Sequence, residues 1–118
     1  MFFQYITIDT NEDTFKNREE ITAWYENNPT TKAFNRLRDE SKAKGLILET
    51  DIIINDENYN SHVIRRIFPS YSAYLEHVLT ISDELSNSMI TMLREKNWTI
   101  TYTLNEVDNN GNVTALYR

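Results

Sequence analysis

Cysteine is absent from this chain, and glycine and proline occur only twice each. Without thiols the protein can form no disulfide bond, use no thiol nucleophile and build no thiolate metal site. The scarcity of glycine and proline leaves little material for linkers or disordered segments. A chain of 118 residues is long enough to bury one hydrophobic core. We therefore predict a single domain spanning residues 1–118.

Long hydrophobic runs are also missing. No segment approaches the roughly 20 consecutive apolar residues that a membrane-spanning helix requires. The stretch from Met1 to Ile8 is apolar but carries no basic leader, so it predicts a strand rather than a signal peptide. We expect no membrane partner and a cytoplasmic location, because the lack of cysteine fits a reducing compartment.

Basic residues are fewer than acidic ones. Twelve lysines and arginines face eighteen acidic residues, which gives a formal net charge of -6. The basic residues that lie close together form only short pairs: Arg36 with Arg38, Lys42 with Lys44, and Arg65 with Arg66. Because the dispersed acids would repel a phosphate backbone, we predict no nucleic-acid partner.

The first third of the chain predicts a strand followed by a divided helix. Aromatic and β-branched residues from Phe2 to Ile8 are typical of a strand. The alternation places Phe2, Ile6 and Ile8 on one face, and Phe3, Tyr5 and Thr7 on the other. Apolar residues recur at helical spacing between residues 18 and 44. We expect Pro29 to begin the second half of this helix, and Gly45 to follow its end.

A hairpin is predicted in the middle of the chain. Residues 46–55 and 62–68 have strand composition, and the polar residues 56–60 join them. If Ile53 lies opposite Val63, then Asp51 lies opposite Arg65 and the cross-strand pair is complementary in charge. We therefore favour this register over its neighbours.

The last third predicts one long helix and a second hairpin. The helix would begin after Ser70 or Ser72 and carry one apolar stripe, formed by Tyr71, Leu75, Val78, Leu85, Met89 and Met92. Strict alternation from Trp98 to Val107 indicates a half-buried strand. Asn110 and Gly111 predict a type I′ turn, after which residues 113–117 return as a fifth strand.

The resulting order is β-α-β-β-α-β with a C-terminal hairpin strand. This order predicts an α+β fold of the ferredoxin-like, split β-α-β kind, with the helices on one face of an antiparallel sheet. The other face would be too apolar to remain in water. We therefore expect a second copy of the chain or a ligand to cover it.

The segment from Gly45 to Val78 opens with a glycine that ends the first helix. It continues with a hairpin with an acidic and polar turn, a strand that ends in basic and aromatic residues, and a serine-started helix with Leu75-Glu76-His77. This pattern resembles the centre of antibiotic-biosynthesis-monooxygenase-type domains, which are dimeric α+β barrels. The resemblance implies a homodimer and a cofactor-independent oxygenase or heme-degrading enzyme.

Five residues are candidates for a ligand pocket or an interface, namely Tyr5, Glu49, Asp51, Arg65 and His77. The resemblance points to His77, which would contact a substrate or heme at the mouth of a cavity. The favoured alternative is a solvated helix residue, because one histidine without a partner defines neither a base nor a metal site. The acids and Arg65 could line a pocket on the open sheet face, but an ion pair at a subunit interface is favoured.

The sequence predicts no metal site and no cofactor, and no catalytic residue can be named from it. Its two histidines are far apart, and the acids lack the spacing of a calcium loop.

Three functions are left open. The first is a non-catalytic interaction or small-ligand-binding protein that acts as a homodimer through the open sheet face. The second is an oxygenase or heme-degrading enzyme with a pocket near His77, Arg65 and Tyr5, which requires a closed cavity of several hundred cubic ångströms. The third is a phage-encoded inhibitor of a host protein, suggested by the acidic charge and by abundant Asn, Ile and Thr.

Overall fold

Five strands form one antiparallel sheet in the order β2-β3-β1-β4-β5, and four helices accompany it. The computed structural model describes residues 1–11 and 13–117. The elements are β1 (Phe2–Asp9), α1 (Arg18–Asn27), α2 (Pro29–Ala43), β2 (Glu49–Asn55), β3 (Asn58–Phe68), α3 (Tyr71–Leu79), α4 (Asp83–Lys96), β4 (Thr99–Val107) and β5 (Val113–Tyr117). The predicted ferredoxin-like α+β fold is confirmed.

Strand β1 lies in the centre of the sheet, between β3 and β4. Its residues alternate between the two faces, and Gln4, Ile6 and Ile8 on the helix side are at most 8% exposed. Ile6 and Ile8 pack in one cluster with Ile21 of α1 and Leu93 of α4. The buried helix residues therefore lie on this one face of the sheet.

The register of the central hairpin agrees with the prediction. Ile53 lies opposite Val63, and Asp51 lies opposite Arg65. The Arg65 guanidinium donates to both oxygens of Asp51, at 3.0 and 2.9 Å. Strand β3 already begins at Asn58, so the predicted five-residue loop is too long. The turn is tighter because the Asn55 side chain accepts a hydrogen bond from the Glu57 amide.

The first helical region is divided as predicted. The Asn28 side chain caps α2 by accepting hydrogen bonds from the amides of Thr30 and Thr31, at 2.9 and 3.2 Å. Pro29 occupies the first turn of α2, where no backbone hydrogen bond is lost. Gly45 follows the helix with a φ of +77°, in the left-handed region that glycine favours.

The second helical region is not one helix, and this prediction was wrong. Helix α3 ends at Leu79, and the Ser82 side chain caps a new helix by accepting from the Leu85 amide. The single stripe was wrong as well, because Leu75 is 42% and Val78 37% exposed. The residues that α3 buries are Ala73, Tyr74 and His77. A stripe drawn across the break assumes a continuous helical phase that Ser82 interrupts.

The C-terminal hairpin forms, but its turn differs from the predicted type I′. That turn needs a positive φ at both central residues, whereas only Gly111 of the pair has one, at +83°. The Asp108 carboxylate organises the loop instead, accepting hydrogen bonds from the amides of Asn110 and Asn112.

Among residues 1–11 and 13–117, no helix has the length and apolarity to cross a membrane.

The double cap at Asn28 makes a prediction about stability. Replacing Asn28 with alanine leaves two amides of α2 without acceptors, so the free energy of unfolding should fall by about 1 kcal/mol. Urea unfolding followed by circular dichroism measures the change. The matched control is Asn27→Ala, because Asn27 is exposed and caps nothing. Equal stabilities of the two variants would contradict this role for Asn28.

Candidate functional site

A cavity of about 110 Å³ lies between the helices and the sheet. Aliphatic and aromatic side chains form most of its wall, including Ile6, Ile8, Ile64 and Ile100 from the sheet and Phe34 and Met89 from the helices. Val78 and Tyr102 are the most exposed residues of the wall, which places its mouth between α3 and β4. We call this space the apolar cavity.

Arg66 brings a positive charge to the wall of the apolar cavity. The residue is only 8% exposed, and its Nε atom has no hydrogen-bond partner among the described residues. No carboxylate within the described part of the chain forms an ion pair with it. Burial, together with the charge of Arg38, lowers the pKa of Arg66 to about 10. The guanidinium is therefore still charged at neutral pH.

His77 of α3 contacts Arg66 from the helix side. Its Nδ1 atom lies 2.7 Å from Ser41 Oγ, and its Nε2 atom lies 3.3 Å from Arg66 Nη1. A guanidinium only donates, so Nε2 must accept and Nδ1 must carry the proton that is donated to Ser41. Burial and the Arg66 charge lower the pKa of His77 to about 4, so the imidazole is neutral at pH 7.

A second histidine is paired with a tyrosine at the same cavity. The Tyr25 hydroxyl lies 2.6 Å from His62 Nε2, and Tyr25 lines the cavity. Burial lowers the pKa of His62 to about 4 and raises the pKa of Tyr25, so both groups are neutral at pH 7. When His62 Nε2 accepts the phenol proton, the Tyr25 oxygen can still accept a hydrogen bond from a bound molecule.

A second cavity, of about 170 Å³, adjoins the first. Four residues line both spaces, namely Tyr25, Asn35, Ile64 and Arg66. Most residues that line only this space are polar or charged, with Glu26 and Arg38 from the helices and Thr50 and Asp51 from β2, although carbon atoms make up most of its surface. We call this space the polar cavity, and Arg66 lies between the two.

The five residues proposed from the sequence do not form one site. Tyr5 and Asp51 lie on either side of Arg65 in one cross-strand row on the open face. Glu49 is two residues along β2 from Asp51 and has no ion pair among the described residues. His77 lies on the helix side of the sheet, so it forms no common pocket with Arg65 and Tyr5.

The favoured interpretation of His77 as a solvated residue was wrong. The residue is only 2% exposed and lines the apolar cavity. Helix α3 turns this side chain inward because its buried face is set by Ala73, Tyr74 and His77 rather than by Leu75 and Val78. The sequence pattern had placed the stripe one residue away.

Several residues of the two cavities were not recognised from the sequence, and Arg66 is the most important. A usable signal existed, because placing Arg65 on the open face forces its neighbour Arg66 to the helix face. Tyr25 and Arg38 carried no such signal, since their role depends on how α1 and α2 pack on the sheet.

No cluster of three or more potential metal ligands occurs in residues 1–11 and 13–117.

Comparison with known proteins identifies the fold. No protein-family model matches the chain, and no curated protein matches it. A solved structure does, that of a protein from Deinococcus radiodurans described as a putative antibiotic biosynthesis monooxygenase. The match covers 97% of this chain and 99% of that chain, with a TM-score of 0.52 and 14% sequence identity. The resemblance noted in the sequence therefore holds for the fold, which is that of this neighbour.

The two neutral histidines make a prediction about acid stability. Their pKa values are about 4 in the folded protein, against about 6.5 in an unfolded chain. Between these values only the unfolded chain takes up the protons, so the free energy of unfolding should fall as the pH drops from 6.5 to 4. The loss is on the order of 3 kcal/mol for each histidine.

Urea unfolding at pH 7, 6, 5 and 4.5 measures this loss. The variant His77→Gln retains a side chain that can hydrogen-bond Ser41 and Arg66 but cannot titrate, so its pH dependence should be about half as steep. An unfolding free energy of the unmodified protein that is constant between pH 7 and pH 5 would show that the histidines are not buried in neutral form.

Proposed function

We propose that this protein binds a small, largely apolar molecule in the apolar cavity and that it acts as a homodimer through its open sheet face. The observation that carries the first part is the cavity itself. Protein interiors are normally filled to crystal-like density, and ligand sites are concave, mostly apolar and supplied with a few polar groups. The apolar cavity has this composition, and its polar groups are Gln4, Tyr25, Thr31, Asn35, Arg66 and His77.

The volume of the cavity limits the part of the ligand that enters it. A cavity of 150 Å³ lined by aliphatic and aromatic side chains accommodates benzene. At about 110 Å³, the apolar cavity suits one ring or a short branched chain. The ligand class is therefore a molecule with a single-ring apolar part.

The oxygenase alternative stays a prediction. The neighbour from Deinococcus radiodurans is described as a putative antibiotic biosynthesis monooxygenase, and the fold is compatible with that activity. A cavity does lie between sheet and helices, as this alternative requires, but its volume is below the several hundred cubic ångströms expected for it. Ligand binding without catalysis is the function that the geometry supports best.

The homodimer rests on the open sheet face. Among the described residues the packed helix side chains lie on the other face, and this one carries Phe3, Tyr5, Ile53 and Val63. Ile53 is 44% exposed, and the other three are half-buried. Covering this surface with the same surface of a second copy would remove the apolar side chains from water.

Ligand binding is tested with toluene as the probe. Toluene should shift the amide resonances of residues around the apolar cavity, because the cavity admits one ring. The variant Val78→Trp should abolish these shifts, because the larger side chain at the mouth blocks entry while its solvent-exposed side tolerates the increase in size. Titration followed by ¹H-¹⁵N NMR measures both.

The matched control for this experiment is Leu79→Trp. Leu79 is adjacent to Val78 in α3, is 83% exposed and does not line the apolar cavity. This variant should bind toluene as the unmodified protein does. Failure of the unmodified protein to bind toluene or any other single-ring probe would remove the proposed ligand site.

The homodimer is tested by analytical ultracentrifugation at about 50 μM, which exceeds the micromolar dissociation constants at the weak end of the range for interfaces of standard size. The expected mass is twice that of the 14.0 kDa chain. Ile53→Asp places a charge among the apolar side chains of the proposed interface and should yield a monomer. Ile90→Asp is the control, because Ile90 is 51% exposed on α4, away from the open face. A monomeric unmodified protein would refute this interface.

A further inference from the structure

We propose that the polar cavity is a carboxylate-binding subsite formed by Arg66 and Arg38, and that the ligand is a small carboxylic acid whose apolar ring occupies the adjoining apolar cavity. This inference rests on the proposed function. It narrows the ligand class from molecules with one apolar ring to those that also carry a carboxylate. The juxtaposition that supports it is a buried guanidinium located between an apolar space and a polar one.

The state of Arg66 is the first argument. More than nine-tenths of this residue is buried, yet no carboxylate among the described residues neutralises it, and its Nε atom has no acceptor there. A buried charge without a partner is costly, and its removal or pairing is strongly favoured. The guanidinium donates from Nη1 to the neutral imidazole of His77, which brings no negative charge. A carboxylate in the polar cavity would supply both the missing acceptor and the missing charge.

Arg38 is the second argument. It belongs to α2, lines the polar cavity together with Arg66, and lies close enough for its charge to lower the pKa of Arg66. Two positive charges facing one cavity repel each other in the free protein. A carboxylate bound between them would relieve this repulsion and accept hydrogen bonds from both.

The position of Arg38 is fixed by its neighbours. Its Nη1 atom donates to Asn35 Oδ1 at 3.2 Å, and its Nε atom donates to Asp39 at 3.0 Å. Asn35 in turn donates from its side-chain nitrogen to the Tyr25 carbonyl oxygen at 3.1 Å. Asn35 and Tyr25 line both cavities, so the contacts that hold Arg38 also form part of the wall between the two spaces.

Two acidic residues line the polar cavity, although the Asp51 side chain is directed to the open face of the sheet. Asp51 is already neutralised, because Arg65 binds both of its carboxylate oxygens. Glu26 is exposed and forms no ion pair among the described residues. Asp39 pairs with Arg38 Nε but does not line the polar cavity, so Glu26 is the acid of this wall that can compete with a ligand carboxylate for the rest of the Arg38 guanidinium. Its removal should strengthen anion binding.

The experiment compares benzoate with benzamide, which has the same shape and no charge. Calorimetric titration at pH 7 and constant ionic strength gives both dissociation constants. Benzoate should bind at least tenfold more tightly than benzamide. Arg38→Gln should raise the dissociation constant of benzoate about tenfold and change that of benzamide less than twofold. Glu26→Gln should lower the dissociation constant of benzoate two- to fivefold.

The matched control is Arg36→Gln. Arg36 lies on the same helix, is highly exposed and does not line the polar cavity. This variant removes the same charge from the protein but should leave both affinities unchanged. A second variant, Arg66→Gln, keeps a donor for His77 and should eliminate the preference for benzoate. If Arg66→Gln does not fold, the effect of Arg38→Gln on the dissociation constant of benzoate still tests the carboxylate subsite.

The possible failures are distinguishable. If toluene and benzamide bind but benzoate binds no more tightly than benzamide, the carboxylate subsite is refuted while the ligand site in the apolar cavity stands. The same conclusion follows if Arg36→Gln weakens benzoate as much as Arg38→Gln does, because the attraction would then come from net charge alone. If none of the three probes binds, the proposed function itself is wrong.

Discussion

The two-residue period of strands β1 and β3 is the constraint on which the rest of the structure depends. These strands lie next to each other in the sheet, and helices pack on only one of its faces, so each residue is directed either to the core or to the open face. Adjacent residues then meet opposite environments. Arg65 pairs with Asp51 on the open face, whereas Arg66 is buried beneath the helices without a carboxylate among the described residues. The candidate ligand site follows from this separation.

Much of the fold could be predicted because its signals are local. The alternation in β1, the proline after Asn28 and the charge match of Asp51 with Arg65 each depend on neighbouring or directly opposed residues. The break between α3 and α4 was missed although Ser82 is a good capping residue. Apolar residues on both sides of it gave the impression of one stripe. A stripe is informative only within one uninterrupted helix, because any break resets the phase.

The candidate site was less predictable, because its members come from distant parts of the chain. Ser41, Arg66 and His77 belong to α2, β3 and α3, and their hydrogen bonds form only after these elements have packed. The sequence pointed to His77 through a resemblance, but neither its burial nor its tautomer could be derived without Ser41 and Arg66. The side on which Arg66 lies was implied by the alternation. The absence of a counter-ion for Arg66 among the described residues could not be predicted, because it depends on the strand register and on where the helices pack.

The burial of so many polar groups on the helix side of the sheet is hard to explain by stability alone. A core of aliphatic residues would avoid the cost of a buried guanidinium, and neutral buried histidines weaken the fold in acid. The polar groups are concentrated around the two cavities, where Arg66, His77 and Tyr25 contribute to the wall. Proteins depart from the most stable arrangement mainly at functional sites. The open face shows no such departure at Arg65, because Asp51 pairs with this half-buried cation. The sheet thus separates a helix side that buries polar groups around two cavities from an open face that carries apolar side chains.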